Sequence, residues 1–269
     1  MTYQITSTAN PRIKGLARLR RRRHREERGE TLVEGFEELA LALGAGAVPI
    51  TVYHCTDLSR PGELDALRAR PGFARAELIE VNRPVFDKIA YRESPDGWLA
   101  VLPSVHTELA DLQPGARPLL LICEGVEKPG NLGAMLRTAD AAGVTAVIAT
   151  DPGTDWGNPN VVRASKGAVY ALPVVSADTA EVLAWLAERD IPVLAATPEG
   201  AAVYTELDLS GPLAIAVGEE KHGLSQAWLD AARWRALIPM SGLVDSLNVS
   251  TSAAILLYEA VRQRTQPLR

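Results

Sequence analysis

From Leu119 to Met240 short, wholly apolar runs alternate with segments of helical period. LLLIC precedes NLGAMLRTADAAG, TAVIAT precedes NVVRASKGAVY, TAEVLAWLAER precedes PVLAAT, LAIAV precedes GLSQAWLDAAR, and ALIPM leads to a closing helix. A run without alternating polar positions predicts a strand buried on both faces, and helices between such strands predict a parallel sheet covered on both sides. Ligands of such sheets sit beyond the carboxyl ends of the strands, which here carry EGVEKPGNLG, the Ala196-Thr197-Pro198 step, GEEKHG and PMSGLVDSLN. The first part of the chain reads differently. Residues 1–102 hold an amphipathic basic opening, LVEGFEELALALGAG as a helix with a glycine stop, and the strand-like pieces ITVYHC and AELIEV, which predicts a small α/β domain. Residues 103–117 carry prolines and no sustained period, and read as a linker to the parallel-sheet domain of residues 118–269.

The closing helix starts oddly. Residues 238–260, IPMSGLVDSLNVSTSAAILLYEA, end as an apolar helix but begin with a proline, a glycine, an aspartate, an asparagine and several hydroxyls. A helix start leaves main-chain N–H groups unpaired, and one Ser, Asp, Asn or Thr would cap it. The surplus predicts a loop folded around something small that needs hydrogen bonds.

At 269 residues and 47% hydrophobic content the chain suits one large globular domain or two modest ones. Its longest apolar runs, such as Ala253–Leu257, fall far short of the roughly 20 residues that span a bilayer. The opening residues show no apolar stretch ahead of a small-residue cleavage site, so no secretory signal is expected. Cys55 and Cys123 have no metal-ligand spacing and form no disulfide framework. The chain therefore reads as cytoplasmic, metal-free and not membrane-bound.

The net charge of −5 conceals a basic arm. Between Asn10 and Glu30 stand nine Lys or Arg (Arg12, Lys14, Arg18, Arg20, Arg21, Arg22, Arg23, Arg25, Arg28) against three Glu, while the rest of the chain is acidic. A focused positive field is where a polyanion docks. Charges as dense as RRRRHR destabilise a helix unless something neutralises them. Arg12, Lys14, Arg20, Arg21, Arg22 and Arg23 are the candidate nucleic-acid contacts.

Of the strand-end segments, EGVEKPGNLG invites comparison with a dinucleotide-binding turn, with Asp151 where a ribose-binding acid would stand. However, Gly130 and Gly133 are spaced GxxG, and the third glycine of GxGxxG is missing. In the helix that follows, Leu132, Met135, Leu136 and Ala139 form an apolar stripe, and Arg137 lies opposite, beside Ala134 and Ala141. Small neighbours would let a second surface approach, so Arg137 would point into a cleft shared by two subunits. In GEEKHG, two glycines frame Glu219, Glu220, Lys221 and His222, any of which could work on a substrate proton.

Taken in order and separation, NLGAMLRTA, GEEKHGLS and IPMSGLVDSLNVSTSAA resemble the three motifs of the SpoU-type RNA ribose 2′-O-methyltransferases of the SPOUT superfamily. ITSTANPRIK, the basic helix and LVEGFEEL resemble that family's small RNA-recruiting domain, so the resemblance covers nearly the whole chain. It implies a trefoil-knotted parallel-sheet methyltransferase domain that binds S-adenosylmethionine, acts on RNA and forms a homodimer. Asn131 and Arg137 match the first motif, Gly218 and Glu220 the second, and Ile238, Met240, Ser246, Leu247 and Asn248 the third. By the same resemblance Asn131, Arg137, Glu220, Ser246 and Asn248 are catalytic, and Thr197, Gly218, Ile238, Met240 and Leu247 hold the cofactor. The third motif would be the segment threaded through the knot, which accounts for its polar surplus. Glu219 stands where the family has a small polar residue, and His222 adds a titratable group.

A guanidinium normally stays protonated. Arg137 is therefore expected to anchor phosphate and stabilise the developing alkoxide, with Ser246 helping to hold the phosphate and Glu220 and Asn248 ordering the catalytic loops. The identity of the base stays open. Ribosomal RNA is the expected substrate, with transfer RNA as the alternative and antibiotic-resistance or housekeeping methylation both open. A non-catalytic RNA-binding protein on the same fold is a remoter reading, opposed by the intact motif residues. A dinucleotide-dependent oxidoreductase is opposed by the failed glycine spacing.

Overall fold

The computed structural model describes residues 3–244 and 246–265. The chain divides into two compact units, Met1–Val105 with Asp155–Ala171, and His106–Thr154 with Leu172–Arg269. In the first lie β1 (Tyr3–Ile5), α1 (Pro11–Arg18), α2 (Arg22–Arg28), β2 (Glu30–Glu34), α3 (Phe36–Gly44), β3 (Thr51–His54), α4 (Glu63–Arg68), β4 (Glu77–Val81), α5 (Arg83–Ile89) and β5 (Trp98–Pro103). The second holds β6 (Leu119–Glu124), α6 (Pro129–Ala141) and β7 (Ala146–Thr150). The chain then returns to the first unit for α7 (Pro159–Ala164). Back in the second unit follow β8 (Val174–Ala177), α8 (Thr179–Glu188), β9 (Val193–Ala196), β10 (Ala202–Val203), β11 (Leu213–Val217), α9 (Gln226–Ala231), β12 (Trp234–Leu237) and α10 (Val249–Thr265).

The first unit is built on a five-stranded mixed sheet of order β1-β4-β3-β5-β2, with β5 antiparallel to both its neighbours. Ile13, Leu16, Leu32, Ile79, Phe86 and Leu99 share its core. Here LVEGFEEL is not one helix. Leu32, Val33 and Glu34 close strand β2, and the helix begins only at Phe36. Gly35 between them has φ +115°, a value that side chains resist, and its N–H donates to Trp98 O. The basic arm is likewise two short helices rather than one, with Arg21 extended between α1 and α2. Arg25 of α2 is 3% exposed, because its guanidinium spans Asp155 (2.9 and 2.5 Å) and the carbonyls of Leu19 and Arg20.

The second unit carries a seven-stranded sheet of order β10-β12-β9-β11-β6-β7-β8, parallel at every pairing, as the apolar runs predict. Leu120 and Ile122 of β6 face a core shared with Val182, Trp185 and Trp228. The alternate residues Leu121 and Cys123 face the other way, where Cys123 Sγ lies 3.9 Å from Met135 Sδ of α6. The proline-bearing segment 103–117 is anchored rather than loose, since Leu109 and Leu112 are buried in this core and Thr107 N–H donates to Val174 O. Chain order runs from β6 outward through β7 to β8, then resumes on the other side of β6 with β9 and β11. The reversal makes β6 and β11 neighbours, and their carboxyl ends form the crevice where ligands of open parallel sheets bind.

Candidate active site

Beyond β6, Gly125 turns the chain with φ +63° while its N–H donates to Thr150 O. Pro129 then opens α6, which places Lys128 at the helix mouth and Asn131 in its first turn. Beyond β11, Gly218 starts a turn that closes when the Gly223 N–H donates to Glu219 O at 3.0 Å. A Cβ on Gly218 would overlap the Gly223 carbonyl and the Leu224 nitrogen, so only glycine fits. At the mouth of α10, Asn248 Oδ1 accepts from Ser250 N–H (2.9 Å) and Ser250 Oγ (2.5 Å), and its carbonyl accepts from Thr251 and Ser252. That leaves its amide nitrogen free to donate elsewhere.

These three strand ends meet at one carboxylate. Glu220 Oε1 accepts from Asn131 Nδ2 at 2.7 Å and from Asn248 Nδ2 at 3.3 Å, while Asn248 Nδ2 also donates to Asn131 Oδ1 at 3.1 Å. Glu220 Oε2 accepts from Lys128 Nζ. The hydrogen bonds from Lys128 and then Asn131 hold the Glu220 carboxyl below the usual carboxylate range. A cavity of about 200 Å³ opens here, lined by residues 125–128, Asn131, the turn residues 219–222 and Val249. Glu219 packs beside Gly125, and its Oε1 lies 3.7 Å from His222 Nε2.

The structure thus brings Asn131, Glu220 and Asn248 together. Arg137 does not line the cavity. It is exposed on α6, opposite the buried Leu132, Met135, Leu136 and Ala139, with no hydrogen-bond or ion-pair partner among the described residues. Ser246 is exposed two residues before Asn248. Lys128 was not anticipated. Its signal was its place three residues before Asn131, a spacing that brings side chains to the same side of a helix mouth, with an acidic motif residue to meet.

Thr197, Gly218 and Ile238 directly follow β9, β11 and β12, which lie side by side in the order β12-β9-β11. Thr197 N–H donates to Ala236 O, and its Oγ1 accepts from Glu199 N–H at 3.3 Å. The main-chain groups of Gly218, Ile238, Met240 and Leu247 pair with no other main-chain group among the described residues. Main-chain groups without a main-chain partner at the ends of β11 and β12, on either side of β9, suit a ligand bound through backbone hydrogen bonds, such as an adenine ring. Among the described residues no group of three or more His, Cys, Asp or Glu is placed to hold a metal ion, and no helix is long and apolar enough to cross a membrane.

The basic arm is partly committed. Arg12 pairs with Glu77 at 2.8 Å, and Arg22 and Arg23 pair with Glu26 and Glu27. Arg20 Nη2 donates to the carbonyls of Lys88, Ile89 and Ala90, and its guanidinium stacks over Tyr91, so it caps the end of α5. Lys14 and Arg21 are exposed without a side-chain partner among the described residues.

Residues 118–258 match the model of the SpoU rRNA methylase family, and residues 10–100 match an MRM3-like substrate-binding domain. The chain is similar to the 23S rRNA guanosine-2′-O-methyltransferase RlmP of Bacillus subtilis, with 29% identity over 95% of this chain and 98% of that protein. Among solved structures it is similar to an RNA 2′-O ribose methyltransferase, at 44% identity, TM-score 0.86, and coverage of 98% and 100% of the two chains. It is also similar to an AdoMet-bound rRNA methyltransferase from Sinorhizobium meliloti, at 30% identity, TM-score 0.85, and coverage of 97% and 98%.

Proposed function

Because the chain belongs to the SpoU rRNA methylase family, we propose that it methylates a ribose 2′-hydroxyl of ribosomal RNA with S-adenosylmethionine, as a cytoplasmic homodimer with a trefoil-knotted catalytic domain. The observation that carries this reading is the Asn131–Glu220–Asn248 triangle, which ties the first, second and third motifs together at the mouth of one cavity. Ribosomal RNA is favoured over transfer RNA because the full-length relative RlmP is a 23S rRNA methyltransferase.

S-adenosylmethionine supplies, when bound, a methyl group already activated on a sulfonium. Thr197 and the main chains of Gly218, Ile238, Met240 and Leu247 would hold it, the last four having no main-chain partner among the described residues. Glu220 accepts from three side chains at once and so fixes Asn131, Asn248 and Lys128 before substrate arrives. Such preorganised donors help most where charge develops in the transition state. Arg137, exposed and unpartnered among the described residues, anchors a phosphate and faces the alkoxide at a site completed by the second protomer, with Ser246 aiding the phosphate. Lys14 and Arg21, which with Arg18 have no side-chain partner among the described residues, give the most to RNA binding, while Arg12, Arg20, Arg22 and Arg23 shape the surface on which it docks.

Three measurements test the proposal. Purified protein with radiolabelled S-adenosylmethionine should label ribosomal RNA and leave transfer RNA unlabelled. Mapping 2′-O-methyl groups in RNA from cells with and without the gene should show one ribose losing its methyl group; an identical map in the two would overturn the assignment. Light scattering should show a dimer, and a fully active monomer at micromolar concentration would remove the homodimer.

A further inference from the structure

A ribose hydroxyl must shed its proton as the oxygen–carbon bond forms, and efficient acceptors sit within hydrogen-bond reach of it. The cavity beside the Asn131–Glu220–Asn248 triangle narrows the choice. Glu220 has its oxygens occupied by Lys128, Asn131 and Asn248, and those bonds hold its carboxyl below the usual range, which makes it a poor base. Lys128 and Lys221 bring only donors. Glu127 packs its Cβ and Cγ over Gly153, and among the described residues no partner orients its carboxylate in the cavity. From α10, Asn248 and Val249 offer nothing that titrates. Glu219 and His222 remain, one packed beside Gly125 and the other with 80% of its side chain exposed, their nearest atoms 3.7 Å apart.

We propose that His222 accepts the ribose 2′-proton at Nδ1, with the Glu219 carboxylate facing its Nε2–H. The inference rests on the methyltransferase reading above and supplies the base which that reading leaves open. Across the 3.7 Å gap the Glu219 carboxylate favours a proton on Nε2, which leaves the Nδ1 lone pair free, and it stabilises the imidazolium that forms, as carboxylates do behind catalytic histidines elsewhere. The 2′-hydroxyl proton passes to Nδ1, the oxygen bonds to the methyl carbon, and the electron pair of the broken S–CH3 bond stays on sulfur. The products are the 2′-O-methyl ribose, neutral S-adenosylhomocysteine and an imidazolium that returns its proton to water. The turn is closed by the Glu219–Gly223 hydrogen bond, so His222 is carried on a fixed loop although its ring is open to solvent.

Single-turnover methylation of ribosomal RNA across about pH 5.5 to 8.5 tests the assignment, with binding of S-adenosylmethionine measured on the same preparations. The parent rate should fall on the acid side. His222→Gln should lose about 10²-fold or more in rate with cofactor affinity near the parent's. Added imidazole should partly restore a His222→Gly variant, a rescue that a merely structural histidine would not show. Glu219→Gln should slow methyl transfer less than His222→Gln does. In cofactor-free protein with ring-labelled histidine, NMR should show His222 mainly as the Nε2–H tautomer in the parent and as a mixture of tautomers in Glu219→Gln. His222→Gln at the parental rate with an unchanged acid limb overturns the proposal and leaves the methyltransferase reading intact. A slow variant that keeps the acid limb and ignores imidazole also overturns it. A parent that binds S-adenosylmethionine yet methylates no RNA overturns both.

Discussion

Replacing Gly218 with alanine perturbs the geometry of the site without removing any polar group from it. The added Cβ would overlap the carbonyl carbon and oxygen of Gly223 and the amide nitrogen of Leu224, all main-chain atoms with no rotamer to yield. Restoring an ordinary carbon contact of about 3.5 Å requires the turn to open by about 1 Å or more. Glu220 rides on that turn, two residues on, and its bond to Asn131 is only 2.7 Å, so such a shift takes it out of hydrogen-bond range. A misplacement of about 1 Å in a catalytic constellation costs on the order of 10²-fold in rate. Overpacking of this kind also destabilises by about 1–3 kcal/mol. Cofactor affinity should fall as well, because the Gly218 main chain moves with the turn. The assay is single-turnover methylation paired with calorimetry of S-adenosylmethionine binding. Gly211→Ala serves as the control, since nothing lies within 4 Å of its added Cβ. A Gly218→Ala enzyme with parental rate and affinity would refute the claim that this turn positions Glu220.

Asp155→Ala leaves Arg25 buried without its carboxylate and should cost about 3 kcal/mol, the low end for a broken buried pair because Asp155 is 19% exposed; thermal or urea unfolding measures it, and a loss under about 1 kcal/mol would contradict the account. Neutralising Lys14 and Arg21 should weaken RNA binding and flatten its salt dependence without lowering the melting temperature, whereas Arg20→Ala should lower the melting temperature because it uncaps α5. Arg137→Ala should abolish methyl transfer with cofactor affinity unchanged, and Arg137→Lys should rescue poorly, since an ammonium cannot reproduce the guanidinium fork; parental turnover by either variant counts against a phosphate anchor. Burial holds the His54 imidazole below its ordinary value of 6.5, so the unfolded chain takes up a proton there that the folded chain resists, and stability should be lost as pH falls below about 6.5. His54→Phe, which can keep the stack on Trp98, should flatten that limb in unfolding experiments repeated across pH, and an unchanged limb would assign it to other groups.

The central strands of the parallel sheet were legible because they are buried on both faces, so LLLIC, TAVIAT, PVLAAT and LAIAV carry no polar position to blur them. Strand β8 was not, since its Val174 and Val175 are followed by an exposed Ser176 at the sheet edge, and β10 has only two residues. The break within LVEGFEEL depends on Gly35 adopting φ +115°, a choice that the tertiary pairing of β2 with β5 imposes. The basic arm shows the limit most plainly. Density of charge says that something must neutralise it, but the partners of Arg20 lie at Lys88 to Ala90 and that of Arg25 at Asp155, separations that no local pattern encodes. Two of the nine cations that read as a docking surface, Arg20 and Arg25, therefore serve helix capping and the core.

The polar surplus before α10 is explained by one side chain with two obligations. A Ser or Asp at position 248 would cap the helix as Asn248 Oδ1 does, accepting from Ser250. Neither could also serve Glu220. A serine hydroxyl is too short to cap and donate at once, and an aspartate would set a second negative charge against the carboxylate. Asparagine alone among the common capping residues presents an acceptor to its own helix and an N–H pair to a neighbour, and Asn248 uses both, reaching Glu220 Oε1 and Asn131 Oδ1 with its nitrogen. Asn131, in the first turn of α6, turns both ends of its amide to the other two groups, accepting from Asn248 and donating to Glu220. Two asparagines at two helix starts can therefore share one carboxylate without any of the three groups opposing another in charge. Because each of the three is bonded to both others, removing any one loosens the bond between the remaining two without abolishing it, and their single substitutions should not add.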